Sequence, residues 1–250
     1  VSYTPRHQRE MVLAYIAATS SDGLATLRRG FGREPVPASL KLMWRVGTAP
    51  RAARRAAEAA LALVGEHRLA DTLRSGGRKA VAELWQLTDR LAAMAAEIES
   101  DWRTQRLDAV ICPAGASPAV PIGMERDASI VFSYFGRYNL LGMPAGVVPV
   151  TRVRSDETDW SPPSGRADRF DKRLQAIAAH SAGLPVAVQV AAPRWRDETA
   201  LAVMAAIEAR MRGRDDFPQT PRDPSSDGDT QDRQPGIDPL GDPHSPAKWK

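Results

Sequence analysis

Three short apolar runs mark the second half of the chain: Leu107-Asp108-Ala109-Val110-Ile111-Cys112, Gly146-Val147-Val148-Pro149-Val150 and Leu184-Pro185-Val186-Ala187-Val188-Gln189-Val190. Their hydrophobicity is continuous rather than alternating, the pattern of strands covered on both faces. Elsewhere the apolar spacing changes to three and four. From Arg78 to Trp102, the positions Val81, Leu84, Trp85, Leu91, Met94, Ile98 and Trp102 form one stripe and predict a long helix. A second helix is predicted from Asp197 to Met211, with Leu201, Met204, Ala205 and Ile207 facing inward, and a shorter alanine-rich one from Arg51 to Val64. Helices alternating with buried strands predict an α/β fold. No internal repeat is visible.

Composition then sets the ends of the folded part. Residues 213–250 hold seven prolines and eight aspartates, too little apolar surface to offset the entropy of ordering. They are expected to form a disordered Pro/Asp-rich tail behind a folded domain at 1–212. The net charge of +4 hides a split at that boundary, because the tail carries three Arg and two Lys against its eight Asp and the body is correspondingly basic. A basic body favours anionic partners, but its arginines are not interleaved with stacking aromatics, so no nucleic-acid partner is expected. One cysteine, Cys112, forms no internal bridge, no apolar run is long enough to span a bilayer, and no secretory signal opens the chain. The expected setting is cytoplasmic.

Generic catalytic patterns are absent. His7, His67, His180 and His244 are scattered, with no HExxH and no paired cysteines, so no metal or other cofactor is expected. A GxSxG elbow is missing. Gly76-Gly77-Arg78-Lys79 has some likeness to a phosphate loop but lacks its outer glycine and the hydroxyl after lysine, and reads better as a turn before the long helix. Ser20-Ser21-Asp22-Gly23 reads as a turn or cap.

Several runs in fixed order do carry a resemblance. Leu107 to Pro113 resembles the strand before a proline in amidase-signature hydrolases. Ser133-Tyr134 and Tyr138-Asn139, with Met143-Pro144-Ala145-Gly146-Val147-Val148-Pro149-Val150 after them, resemble the corresponding stretch of the fatty-acid amide hydrolase branch. Gly183-Leu184-Pro185-Val186-Ala187-Val188-Gln189 and Pro193-Arg194-Trp195-Arg196-Asp197-Glu198 are similar to that branch as well. Ser21-Asp22-Gly23, Leu84-Trp85, Asp101-Trp102-Arg103, Asp171-Lys172 and Leu174-Gln175 extend the likeness over roughly Leu13 to Met211. Any one element is weak, and the ordered set is specific.

The resemblance implies the C-terminal portion of the amidase-signature fold, a mixed twisted sheet covered by helices. It also implies hydrolysis of a carboxylic or fatty acyl amide through a Ser–Ser–Lys constellation, in which a neutral lysine draws a proton through a bridging serine. In the family those groups lie in and just upstream of a Gly/Ser-rich region, and this chain resembles only the portion C-terminal to that region. No residue here is therefore assigned a catalytic role, and the chain alone is expected to be inactive. Because the chain opens at Val1 rather than methionine, it is expected to be the C-terminal part of a longer hydrolase. By the same resemblance, Trp195, Phe132 and Gly136 would line the acyl channel, with Trp195 read alternatively as a cap on the last helix; Thr72 and Gly76 align less well. The competing function is a non-catalytic remnant that binds lipid or a partner. A homodimer, and weak peripheral contact with an anionic membrane through the arginine-rich Val36–Gly76 stretch, are compatible with either reading.

Overall fold

The computed structural model describes residues 1–37, 40–121, 133–162 and 167–218. Most of the expected tail, from residue 219 onward, lies outside them, as does Phe132. Nine helices occur among the described residues: α1 (Gln8–Thr19), α2 (Ala25–Phe31), α3 (Lys41–Thr48), α4 (Arg51–Leu63), α5 (His67–Ser75), α6 (Val81–Thr104), α7 (Ser133–Leu141), α8 (Arg169–Ala179) and α9 (Asp197–Met211). Three strands, β1 (Val110–Pro113), β2 (Ala145–Arg152) and β3 (Pro185–Ala191), form one sheet in the order β1-β3-β2.

Both pairings are antiparallel. Val110 lies opposite Ala191 and Ile111 opposite Val190, while on the other side Gly146 lies opposite Val190 and Ala145 opposite Ala191. Proline placement fits the order: Pro113 and Pro149 sit in the outer strands, where a missing N–H costs no ladder bond, and β3 carries proline only at its first position. A register shift between Pro149 and Thr151 marks a bulge in β2.

The protein is a mixed helix and strand fold, as the periodicity predicts, with helices on both sides of β3. One side is the main core, where Met11 and Ala14 of α1, Met94, Ile98 and Trp102 of α6, and Tyr138 and Leu141 of α7 pack with Val110 and Ala191. The other side is a smaller cluster in which Val190, Ala192 and Ala200 meet Val203, Met204 and Ile207 of α9. Adjacent residues Val190 and Ala191 thus enter different clusters, as strand alternation requires.

Cover is incomplete away from that point. Ile111 is 56% exposed and Val147 52%, so the expectation that all three runs are buried on both faces holds only at the end of β3. The sheet among the described residues is also wholly antiparallel rather than built from parallel α/β crossovers. Its continuous apolar runs reflect two-sided cover of one end, not strand direction.

Two helix faces differ from the predicted stripes. In α6, Met94, Ala95, Ile98 and Trp102 are buried, but Val81, Leu84 and Trp85 are exposed because the first turns extend beyond the core. In α9, Ala200, Val203, Met204 and Ile207 face inward, whereas Leu201 and Ala205 are exposed. The alanines of α4 are mostly exposed as well, and the buried member of that helix is Arg54. Residues 213–218, placed in the tail by composition, include buried Phe217, and the Thr151 hydroxyl donates to Asp216 Oδ2 at 2.5 Å.

Candidate functional site

A cavity of about 880 Å³ opens beside β1. Its floor is the approach to β1 and β1 itself, from Arg106 to Pro113. The N-terminal segment with Tyr3 and Gln8 closes one side, and Tyr134 and Arg137 of α7 and Val203 of α9 close the others. Its position is set by the sequence: Leu107 to Cys112 is apolar enough to form a strand, and the edge of that strand is left open.

Arg137 is the charged group that stands out there. It is buried, and its guanidinium donates from Nη1 to Gln8 Oε1 at 2.6 Å and from Nη2 to the Arg6 carbonyl at 3.0 Å. No carboxylate pairs with it among the described residues. Burial pushes its pKa down, with Tyr138, Tyr3 and Cys112 acting in the opposite direction. Beside it the Cys112 sulfur lies 3.7 Å from the Tyr138 hydroxyl, and burial pushes both groups toward their neutral forms. Tyr3 stacks edge-on against Trp102 with centroids 5.9 Å apart, and the Tyr3 hydroxyl and Trp102 indole N–H are buried without a hydrogen-bond partner among the described residues. A neutral thiol and a neutral phenol beside a fixed cation suit binding better than proton transfer at neutral pH. No cluster of His, Cys, Asp and Glu able to hold a metal occurs among the described residues.

Of the residues aligned with the acyl channel, neither described one, Gly136 or Trp195, is in the lining of this cavity. Gly136 is buried in α7 between Tyr134 and Arg137, which do line it. Trp195 sits in the β3–α9 turn at φ 64°, 89% exposed, so it does not cap α9 against the sheet. Its turn is tied to the end of α7, because Arg194 Nε donates to the Leu141 carbonyl at 2.6 Å and lies 3.2 Å from Glu99 Oε1. The Trp195 turn is thus held to the C-terminal end of α7, the helix that carries Gly136. Phe132 lies outside the described residues. Thr72 turns its hydroxyl back to the Arg68 carbonyl, and Gly76 ends α5 where a Cβ would come within 2.6 Å of Val46 Cγ1. Both positions are satisfied within the helical subassembly.

Lys79 is the one half-buried lysine among the described residues, and it lies near Ser20 and Ser21 in the fold. Its ammonium donates to the Ser75 carbonyl at 2.5 Å, not to a hydroxyl, and the Ser20 and Ser21 hydroxyls donate to the Ile16 and Ala18 carbonyls. Burial, then Arg54 and Arg51, push the lysine pKa down, yet no serine hydroxyl among the described residues is wired to its ammonium.

Sequence reasoning missed Arg137, although it lies within the Ser133–Asn139 run that carries the resemblance. A lone arginine inside an aromatic and apolar helix was the available signal. It also missed Arg54, whose only mark is its place among alanines.

The fold is a helix-rich α/β assembly that, among the described residues, is built on a three-stranded antiparallel sheet with a cavity beside its β1 edge. The chain belongs to the amidase family, whose family model matches residues 1–201. Fatty-acid amide hydrolase 1 of Sus scrofa is 37% identical over 146 residues, which make up 58% of this chain and 25% of that protein. Fatty acid amide hydrolase 1 of Caenorhabditis elegans is 37% identical over 109 residues, covering 43% of this chain and 19% of the relative. A solved fatty acid amide hydrolase superposes with a TM-score of 0.60 at 15% identity over 84% of this chain and 33% of that one, a likeness of fold. The chain thus spans a quarter or less of the length of these two sequence relatives.

Proposed function

We propose that this chain serves carboxylic amide hydrolysis, with a fatty acyl amide as substrate, as the C-terminal portion of an amidase whose Ser–Ser–Lys machinery the chain does not itself contain. The observation that carries this reading is the family match over residues 1–201, taken with the wiring of Lys79, Ser20 and Ser21 to backbone carbonyls. A proton relay needs lysine and serine within hydrogen-bond reach of each other, and here each is engaged elsewhere. Trp195, Gly136 and Phe132 are assigned to the acyl channel, the indole supplying apolar surface against methylenes.

The purified chain should neither hydrolyse a long-chain acyl amide above the buffer rate nor react with a serine-directed fluorophosphonate. Sequencing the transcript upstream of Val1 should find an in-frame lysine and a Gly/Ser-rich serine pair. Labelling of a serine in this chain with concurrent turnover would overturn the assignment.

A second reading, a non-catalytic module that binds lipid or a partner, draws on the cavity of about 880 Å³ with its buried Arg137. It requires saturable binding of a fluorescent fatty acid by the chain alone. Contact with a second copy of the chain would use the open edges of β1 and β2 beside Ile111 and Val147. Peripheral contact with an anionic membrane would use the arginine-rich Val36–Gly76 stretch, with the exposed Val81, Leu84 and Trp85 beside its Arg51, and is compatible with a cytoplasmic setting. No helix among the described residues is long and apolar enough to cross a membrane.

A further inference from the structure

A second cavity, of about 330 Å³, opens between α4, α5 and the start of α6. Five cations line it, Arg51, Arg54, Arg55, Arg74 and Lys79, against two carboxylates, Glu58 and Glu83. Both carboxylates are engaged. Arg74 Nε donates to Glu58 at 2.6 Å, and Glu83 accepts from Arg51 and, at 2.7 Å, from the Ala80 N–H. Arg54, Arg55 and Lys79 are left with no carboxylate partner among the described residues.

Arg54 is the group that distinguishes this cluster from a solvated basic face. It is only 8% exposed, its Nη1 donates to the Gly76 carbonyl at 2.5 Å, and its Nε has no hydrogen-bond partner among the described residues. An uncompensated guanidinium at this depth is costly, and the cost falls if an anion in the cavity it lines supplies the opposite charge. Gly77 makes room for it, since a Cβ at that position would overlap Arg54 Nη1. Burial and then Arg51 push the Arg54 pKa down, as expected of a cation in want of negative charge.

We propose that this cavity binds a phosphoryl dianion, either free or as a monoester head. A phosphate carries close to two negative charges at neutral pH and accepts hydrogen bonds in several directions, which suits three uncompensated cations, two on α4 and one just before α6, better than a flat carboxylate does. Gly76-Gly77-Arg78-Lys79 contributes to the site, but not as a phosphate loop. The Gly77 N–H donates to Ser20 Oγ at 2.9 Å, the Lys79 N–H to the Ser21 carbonyl at 2.9 Å and the Ala80 N–H to Glu83, so the backbone is already committed. The side chains of α4 and Lys79 hold the anion instead. The site is independent of amide hydrolysis and stands or falls separately from it.

The test is calorimetric titration of the full chain with inorganic phosphate at fixed ionic strength, alongside co-sedimentation with phosphatidylcholine vesicles with and without phosphatidic acid. Saturable phosphate binding alone identifies a soluble phosphate ligand. Sedimentation that needs phosphatidic acid and is displaced by phosphate identifies a lipid head group; either result supports the site. Arg55→Gln and Lys79→Gln, each made alone, should weaken binding about tenfold, the scale of one lost charge-assisted contact. Arg54→Lys, which keeps the charge and loses the fork, should weaken it similarly. Melting curves identify any variant that fails to fold, and Arg55, being exposed, gives a variant that leaves the buried Arg54 contact in place. No binding of either probe, or an equal loss on changing the distant pair Arg28 and Arg29 to Gln, overturns the proposal.

Discussion

Arg68 and Asp168, 100 residues apart in sequence, form a forked ion pair: Nε and Nη2 donate to the two Asp168 oxygens at 2.5 and 2.7 Å. Arg68 Nη2 also pairs with Asp171, and the guanidinium lies 5.7 Å from the Phe170 ring centroid. Asp168 and Asp171 cap α8 reciprocally, each accepting from the other's N–H at 3.0 and 3.1 Å. One arginine on α5 thus fixes the start of α8.

That arrangement makes the fold acid-sensitive. Burial alone would raise the Asp171 pKa, but the hydrogen bonds from Arg68 and from the Asp168 N–H, with the Arg68 charge, outweigh it and hold the group below its ordinary 3.8. A carboxyl depressed in the folded state gives stability that is complete above the unfolded value and is lost as pH falls through the folded one. Urea midpoints should therefore drop below about pH 4, the ordinary carboxylate range. Arg68→Met should flatten that dependence and cost about 1–2 kcal/mol at neutral pH, a figure reduced because Arg68 is partly exposed. An unchanged acid slope in the variant would place the acid sensitivity elsewhere.

Gly77 should tolerate no side chain. Its φ is +85°, and a Cβ would overlap Arg54 Nη1. Gly77→Ala should cost at least about 2 kcal/mol, combining left-handed strain with displacement of the guanidinium. In an Arg54→Ala background the overlap is gone, so the penalty should shrink to the backbone part. A double-mutant cycle read by denaturant melts measures the difference.

The two ends of α6 should respond differently to truncation. Met94 is fully buried, and Met94→Ala should cost about 2–5 kcal/mol. Trp85 is 65% exposed, and Trp85→Ala should fall within about 0.5 kcal/mol of the parent. Equal losses at both sites would show that the first turns of α6 are covered in solution.

This contrast marks how far the residues can be read in advance. Helices α6 and α9 are predicted by an apolar stripe long enough to count, the three strands by continuous apolar runs and α4 by its alanines. The remaining helices are not: α5 is largely polar, and α7 is a mixed aromatic stretch legible only as a motif. α8 announces itself mainly through its Asp168-x-x-Asp171 cap. Periodicity also cannot say where a stripe runs out of neighbours, so Val81, Leu84, Trp85 and Leu201 are predicted to lie inside and lie outside. The resemblance points to Trp195, Gly136 and Phe132, whereas Arg54 and Arg137 are informative only through burial, which one-dimensional spacing does not carry.

Trp195 offers a test of the acyl-channel assignment that spares the fold. At 89% exposure its removal takes away little packing, and its φ of 64° already disfavours a large side chain. Trp195→Gly should leave the melting temperature unchanged or slightly raised. If the indole meets an acyl chain, the same variant should weaken a long-chain fatty acyl probe several-fold and a short-chain one hardly at all. An equal loss for both probes would indicate a contact with the head of the ligand, and no loss would remove Trp195 from the channel.

Cys112 supplies a probe of the open edge beside β1. Burial raises its thiol pKa, and the opposing effects of the Tyr138 hydrogen bond and the Arg137 charge do not cancel that rise. The thiolate is the reactive form, so alkylation by iodoacetamide should be slow at neutral pH and accelerate only above the ordinary thiol value of 9.0. For stability, a thiol held neutral in the folded state stabilises it less as pH rises through the unfolded value. Arg137→Gln removes a nearby positive charge, so the alkylation midpoint should move further up in pH. A midpoint that falls instead would mean that opening the cavity to water outweighs the lost charge, and would make Arg137 principally a plug between β1 and the N-terminal segment.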